Sequence, residues 1–271
     1  MIQLLALLLY IGAVLLWFRA LYAQPGERRT RPAAGLTAVA VGVHGVAVAG
    51  FVSTYGELPL VGLGPALSTL ALIMGLALVF TLALGEVARL GIALLPVIVV
   101  VQGAALVLGI VPSGTPPDFQ GLWFAAHVTL AFAGYGGAAL AFAAGLLYLI
   151  QFKALKDRNL GRAFRFIPPL ATLDRVGLIS LAVGFTNLTL ALIVGWAWTV
   201  QFRGSFLATD PKVLWAVFTW LVMGATIGFN AVGGRHEWRG AAASVVSFSV
   251  IVGSYVALRL TAGLGGGGLF P

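Results

Sequence analysis

The sequence predicts an all-α protein, a polytopic transmembrane helix bundle of about eight helices, and three observations carry that expectation. Sixty per cent of the residues are hydrophobic and nine per cent are charged, with a mean hydropathy of +1.03, so a water-soluble fold would lack polar side chains to cover its surface. Stretches of the roughly 20 apolar residues that a helix needs to cross the hydrocarbon recur along the chain, separated by Gly, Pro and clusters of charge. These stretches are apolar on every side, as from Ala125 to Ile150. A membrane barrel would instead show segments of roughly 10 residues alternating polar and apolar. A single membrane domain over residues 1–271 is expected.

The apolar runs place spans at 2–22, 34–53, 66–86, 90–111, 122–150, 172–200, 213–232 and 240–262. In the first, Met1 to Leu16 carries no basic residue, and Arg19, Arg28 and Arg29 follow the apolar run. That order predicts an uncleaved helix starting outside rather than a signal peptide. The connectors then alternate in character. Arg28, Arg29 and Arg31 follow span one, Arg89 follows span three, Lys153, Lys156, Arg158, Arg162 and Arg165 follow span five, and Arg235 and Arg239 follow span seven. The intervening connectors hold Glu57, then Asp118 with the proline-rich run from Pro112 to Pro117, then Arg203, Asp210 and Lys212. By the positive-inside rule the basic connectors face the cytoplasm, both termini face outward, and the protein belongs in the inner (cytoplasmic) membrane of the cell. Residues 263–268, nearly all glycine, predict a flexible tail.

Composition also excludes function classes. The pI near 10.5 does not point to nucleic acid, because the cations sit in short connectors between apolar helices, so the expected surroundings are membrane lipid. The absence of cysteine excludes disulfides, thiolate metal sites and thioether attachment of haem to this chain. No internal repeat, paired carboxylates or interrupted helices stand out at mid-membrane, which sets a small-molecule transporter well behind other readings.

Ionisable residues at membrane depth are costly and point to function. His44 lies about a dozen residues into span two, where a neutral imidazole could ligate iron or hydrogen-bond a neighbouring helix. His127, in Trp123-Phe-Ala-Ala-His127-Val, lies near the outer end of span five among aromatics that could cover a haem, or could simply snorkel to the headgroups. His236, between Arg235 and Glu237 in a basic connector, reads as an anchor at the membrane surface. The connector between spans six and seven gathers Trp196, Trp198, Phe202, Phe206, Asp210-Pro211-Lys212, Trp215, Thr219 and Trp220. Pro211 suits the first turn of span seven and Asp210 its N-cap, with Trp215 directed inward and an aromatic shelf above. Span two runs outward and span five inward. His44 and His127 then lie about 15 Å and about 8 Å from the outer ends of their helices. A tilted haem taking one nitrogen from each is a further expectation, with Trp123, Trp196 or Phe124 as flat walls.

The order His127-Val, Gly134-Tyr135, Gly145-Leu-Leu-Tyr148-Leu-Ile-Gln151, Pro168-Pro-Leu170, Gly184-Phe185, Gly195-Trp196, Asp210-Pro-Lys212 with Trp215 and Thr219-Trp220, then Trp238-Arg-Gly240 resembles the cytochrome c assembly family of membrane proteins that includes CcsA and HemX. The resemblance covers most of residues 120–260. It implies haem, as haem b, carried to the outer face and presented on a tryptophan-rich segment for attachment to apocytochrome c, with His127 matching an outer-face axial ligand. With that implication, the residues expected to contact haem are His127, His44, Trp123, Trp196, Trp198, Asp210, Trp215 and Trp220. It also implies a maturation partner or another membrane subunit, and a role in transport or presentation rather than catalysis. The chain departs from the family pattern where Phe202-Arg-Gly-Ser-Phe206-Leu-Ala-Thr replaces the tryptophans before Asp210, and where Ile227-Gly-Phe-Asn230 lacks a histidine. No histidine follows in the last outer segment. These departures lean toward the HemX-like branch and keep a second reading open, a non-catalytic scaffold or regulator of haem-pathway or respiratory enzymes.

Overall fold

The computed structural model describes residues 1–22, 30–60, 62–82, 85–112, 121–158, 161–203, 211–232 and 237–264. Among these it is all helical: α1 (Ile2–Tyr22), α2 (Arg31–Tyr55), α3 (Leu63–Leu82), a 3-10 turn (Gly85–Leu90), α4 (Gly91–Leu108), α5 (Leu122–Lys156), the short α6 (Arg162–Phe166), α7 (Leu170–Arg203), α8 (Pro211–Val232) and α9 (Glu237–Leu264). Every predicted span is a helix. Among the described residues seven are long and apolar enough to cross a membrane, and the eighth, α9, runs for 28 residues. Asp210 and its expected cap, Phe206, Asp118, Arg28, Arg29, Arg235, His236 and glycines 265–268 lie outside the described residues.

Helix ends depart from the apolar runs for local reasons. The 35-residue α5 continues past residue 150 to place Lys153 and Lys156 in its last turn, where cations meet the negative end of the helix dipole. α3 stops at Leu82, and Gly85 opens the tighter 3-10 turn that leads into α4. α2 ends on Gly56, whose φ of 69° closes the helix by a bond from its N–H to the Val52 carbonyl.

Consecutive long helices run antiparallel. Tyr10 meets His44 and Trp17 meets Thr37 across α1 and α2, and His44 meets Ser68 across α2 and α3. Gly64 abuts Ala105 and Gly109 at the ends of α3 and α4. His127 meets Ala191 across α5 and α7, Trp220 meets Thr189 across α8 and α7, and Trp215 meets Ser254 across α8 and α9. Arg19, Arg31, Arg89, Lys153, Lys156, Arg165, Arg175 and Arg239 all stand at or near helix ends on the same end of the bundle. There Arg89 donates to the Phe166 carbonyl at 3.0 Å and lies over the Phe166 ring, while Trp17 meets that ring edge-on.

Two cores share α5. The larger joins α1 to α5 through Tyr10, Trp17, Met74, Leu94 and Leu147, and the smaller joins α5 to α7, α8 and α9 through Ala138, Leu181, Leu188, Met223 and Ile251. Along α5 the buried residues are almost all small: Gly134, Gly136, Gly137, Ala138, Ala141, Ala144 and Gly145 among them. Their purpose is close approach. A Cβ on Gly137 would lie 2.6 Å from the Gly184 Cα and 2.6 Å from the Ser180 carbonyl oxygen, and one on Gly184 would lie 2.8 Å from the Gly134 carbonyl oxygen. Gly137→Ala must therefore push α5 and α7 apart. We expect it to cost about 1–3 kcal/mol and to lower the melting temperature of the detergent-solubilised protein. Gly42→Ala, on the exposed side of α2 with nothing within 4 Å of the added Cβ, should leave that temperature unchanged. Equal melting of the two variants would contradict the packing described.

Candidate functional site

The α5–α7 seam sets the position of His127. Counting toward the ends of both helices, the close contacts at Gly137–Gly184 and at Gly134–Leu188 continue to His127 opposite Ala191 and Gly195. Gly195 makes room for the ring, since a Cβ there would lie 2.6 Å from both Nδ1 and Cε1 of His127. The half-buried His127 bonds through Nδ1 to the Ala191 carbonyl oxygen at 2.7 Å. A carbonyl only accepts, so Nδ1 carries the proton and Nε2 is left with the lone pair. A ring N–H fixed on a backbone carbonyl, with the opposite nitrogen basic, is the arrangement of a metal-ligating histidine.

Aromatic residues stand beside it. Phe124, one turn before His127, packs at a tilt on Trp198 with ring centroids 6.1 Å apart. Trp123 and Trp196 are 54% and 55% exposed. The remaining predicted contacts turn elsewhere. Trp215 does face inward, but it donates to the Ser254 hydroxyl at 3.2 Å and packs between Tyr135 and Tyr255, at the junction of α8 with α5 and α9. Trp220 donates to the Thr189 hydroxyl at 2.9 Å and stacks on Phe185 at 5.4 Å. Both indoles brace helix interfaces, and α8 begins at Pro211 as expected.

His44 occupies a different interface. It is fully buried between α1, α2 and α3, with Nδ1 bonded to the Tyr10 hydroxyl at 3.2 Å and Nε2 to the Ser68 hydroxyl at 3.0 Å. The expectation of one haem shared by His44 and His127 is corrected by this arrangement: the two rings lie at separate helix interfaces, and both nitrogens of His44 are engaged within the protein. Among the described residues no group of three or more His, Asp or Glu side chains is placed to hold a metal ion. Sequence reasoning missed Ala191 and Gly195, the partners that orient His127, and Thr189 and Ser254, which hold the indoles. The signal for Ala191 was present, because Gly177, Gly184 and Ala191 recur at heptad spacing along α7, the mark of a close helix seam.

Residues 37–262 match the family described as Cytochrome C assembly protein, which extends the resemblance drawn from His127 to Gly240 back through α2. Curated relatives carry the name cytochrome c biogenesis protein CcsA. That of Heterosigma akashiwo is 28% identical over 186 residues, which cover 56% of this chain and 57% of that protein. That of Chlamydomonas reinhardtii is 28% identical over 144 residues, 53% of this chain and 40% of that protein. That of Synechococcus elongatus is 35% identical over 89 residues, 33% of this chain and 27% of that protein. The chain thus spans between 27% and 57% of the length of these relatives.

Proposed function

The chain belongs to the cytochrome c assembly protein family, and on that footing we propose that it handles haem in cytochrome c maturation, holding it through His127 at the outer end of the bundle. Haem is cargo in this reading, and haem b suits a chain with no cysteine to form thioethers. The observation that carries the reading is the bond from His127 Nδ1–H to the Ala191 carbonyl at 2.7 Å, because it leaves Nε2 as a basic nitrogen of the kind that ligates haem iron. Bound haem would supply an iron centre that accepts an axial imidazole. The protein's own residues orient and cover it: Ala191 fixes the ring, Gly195 admits it, Phe124 and Trp198 offer flat apolar surface beside it, and Trp123 and Trp196 extend that surface toward the outside. Nothing in this role requires the chain to make or break a bond, so attachment falls to a partner that holds apocytochrome c or to another membrane subunit.

Topology supports the direction. The cations gathered at one end of the bundle face the cytoplasm by the positive-inside rule, in the inner membrane of the cell. His127 stands near the opposite end, and both termini go with it. A reporter fused after Lys156 should score as cytoplasmic, and an outer score would put His127 on the wrong side for presentation.

The scaffold reading has its own supporting observation. His44 is wholly engaged by Tyr10 and Ser68 and Trp215 and Trp220 are turned to structural partners, which leaves His127 as the single described histidine with a nitrogen to offer. An optical spectrum separates the two. Protein purified from haem-replete cells should show a Soret band that His127→Ala removes or shifts and that His44→Ala leaves in place. A colourless wild-type protein would favour the scaffold.

A further inference from the structure

The half of the bundle formed by α1 to α4 holds a second polar constellation, for which haem handling through His127 has no use. Tyr10, His44, Ser68 and Gln102 are each 0% exposed. Gln3 is half-buried in the first turn of α1, next to exposed Met1 and Ile2. The five side chains form one connected set. Gln102 Nε2 donates to Gln3 Oε1 at 2.9 Å, and Ser68 Oγ donates to the same oxygen at 3.3 Å. Because Ser68 spends its proton on Gln3, it must accept from His44 Nε2–H at 3.0 Å, and His44 Nδ1 must in turn accept from the Tyr10 hydroxyl at 3.2 Å. A single neutral tautomer satisfies every bond.

One atom of the set is left over. Gln102 Oε1 is buried and has no hydrogen-bond partner in the protein. An undonated amide oxygen inside the hydrocarbon is costly. Its missing partner must be a donor, which excludes lipid esters and other carbonyl compounds, and it must be small enough for a closed site packed between α1, α3 and α4. We propose that Gln102 Oε1 binds a water molecule, and that this water and Gln3 form the mouth of a hydrogen-bond relay through Ser68 to His44 and Tyr10 that opens to one membrane face only.

The relay opens at the end that carries Gln3 and stops at Tyr10. Beyond Tyr10 the backbone of Gly75 closes in, where any Cβ would sit 2.8 Å from the Tyr10 hydroxyl oxygen. The next polar pair toward the basic end does not continue the chain, since Trp17 donates to Thr37 at 3.2 Å and Thr37 donates to its own helix at the Ala33 carbonyl. His44, though fully buried, is thus coupled through hydrogen bonds to water on the Gln3 side alone.

The chain contains three histidines, so protein labelled with ¹⁵N-histidine in bilayers gives few enough ring signals to assign with a His44→Asn variant. Solid-state NMR should show His44 protonated on Nε2 and accepting on Nδ1, with polarisation passing from water to that Nε2–H. Gln102→Leu should abolish the transfer while the His127 signals stay unchanged as a control for the fold, and Ser68→Ala should abolish it independently. Thr37→Val should leave it intact. The proposal is overturned by no transfer in the wild-type protein or by transfer that survives both Gln102→Leu and Ser68→Ala, and its one-sidedness by loss of transfer in Thr37→Val.

Discussion

Between Gly137 and Gly184 there is no room for a methyl group, and the backbones of α5 and α7 meet directly. Lipid tails are as apolar as the helices, so helices in a bilayer associate through close packing rather than through release of water. The seam of Gly134, Gly137, Ala144, Gly177 and Gly184 supplies that packing, and because each contact is backbone on side chain or backbone on backbone, it also fixes register. His127 lies one heptad from Gly134, and Ala191 one heptad from Gly184. A slip by one residue would separate the ring from its carbonyl. The chemistry assigned to His127 is in this sense a consequence of glycines two turns and more away.

Polar groups elsewhere obey the same constraint, that hydrocarbon offers no partner. Thr189, Thr219, Thr226, Ser244 and Ser249 each return a hydrogen bond to the carbonyl four residues back in their own helix, and Thr226 also meets Ser247 across α8 and α9. The indoles of Trp17, Trp215 and Trp220 each find a hydroxyl on a neighbouring helix. Histidine divides by the same logic. His44 finds two side-chain hydroxyls and is consumed by them, whereas His127 finds one backbone carbonyl and keeps a nitrogen free for ligation.

The helices were legible in the sequence because the bilayer demands long apolar runs, and the alternation of cations between connectors gave the common basic end that the structure brings together through Arg89, Trp17 and Phe166. The position of His127 near the end of α5, one turn after Phe124, was legible from local spacing. What spacing along one helix does not contain is the identity of the facing helix. Trp215 and Trp220 share a tryptophan-rich run, yet one faces α5 and α9 while the other faces α7, which only the three-dimensional order of helices decides. Similar depth suggested one ligand shared by His44 and His127, but depth is one coordinate of three, and α2 and α5 present their histidines to different neighbours.

The central claim is that the α5–α7 seam presents His127 with Nδ1 protonated and Nε2 available to haem iron. Pulsed electron paramagnetic resonance on the ferric haem complex, made with ¹⁵N-histidine in an otherwise unlabelled protein, reads the axial nitrogen directly. The account predicts a strongly coupled ¹⁵N from a histidine ligand that disappears in His127→Ala and persists in His44→Ala. A ¹⁵N coupling that persists in His127→Ala, or a haem iron with no histidine nitrogen at all, would contradict it.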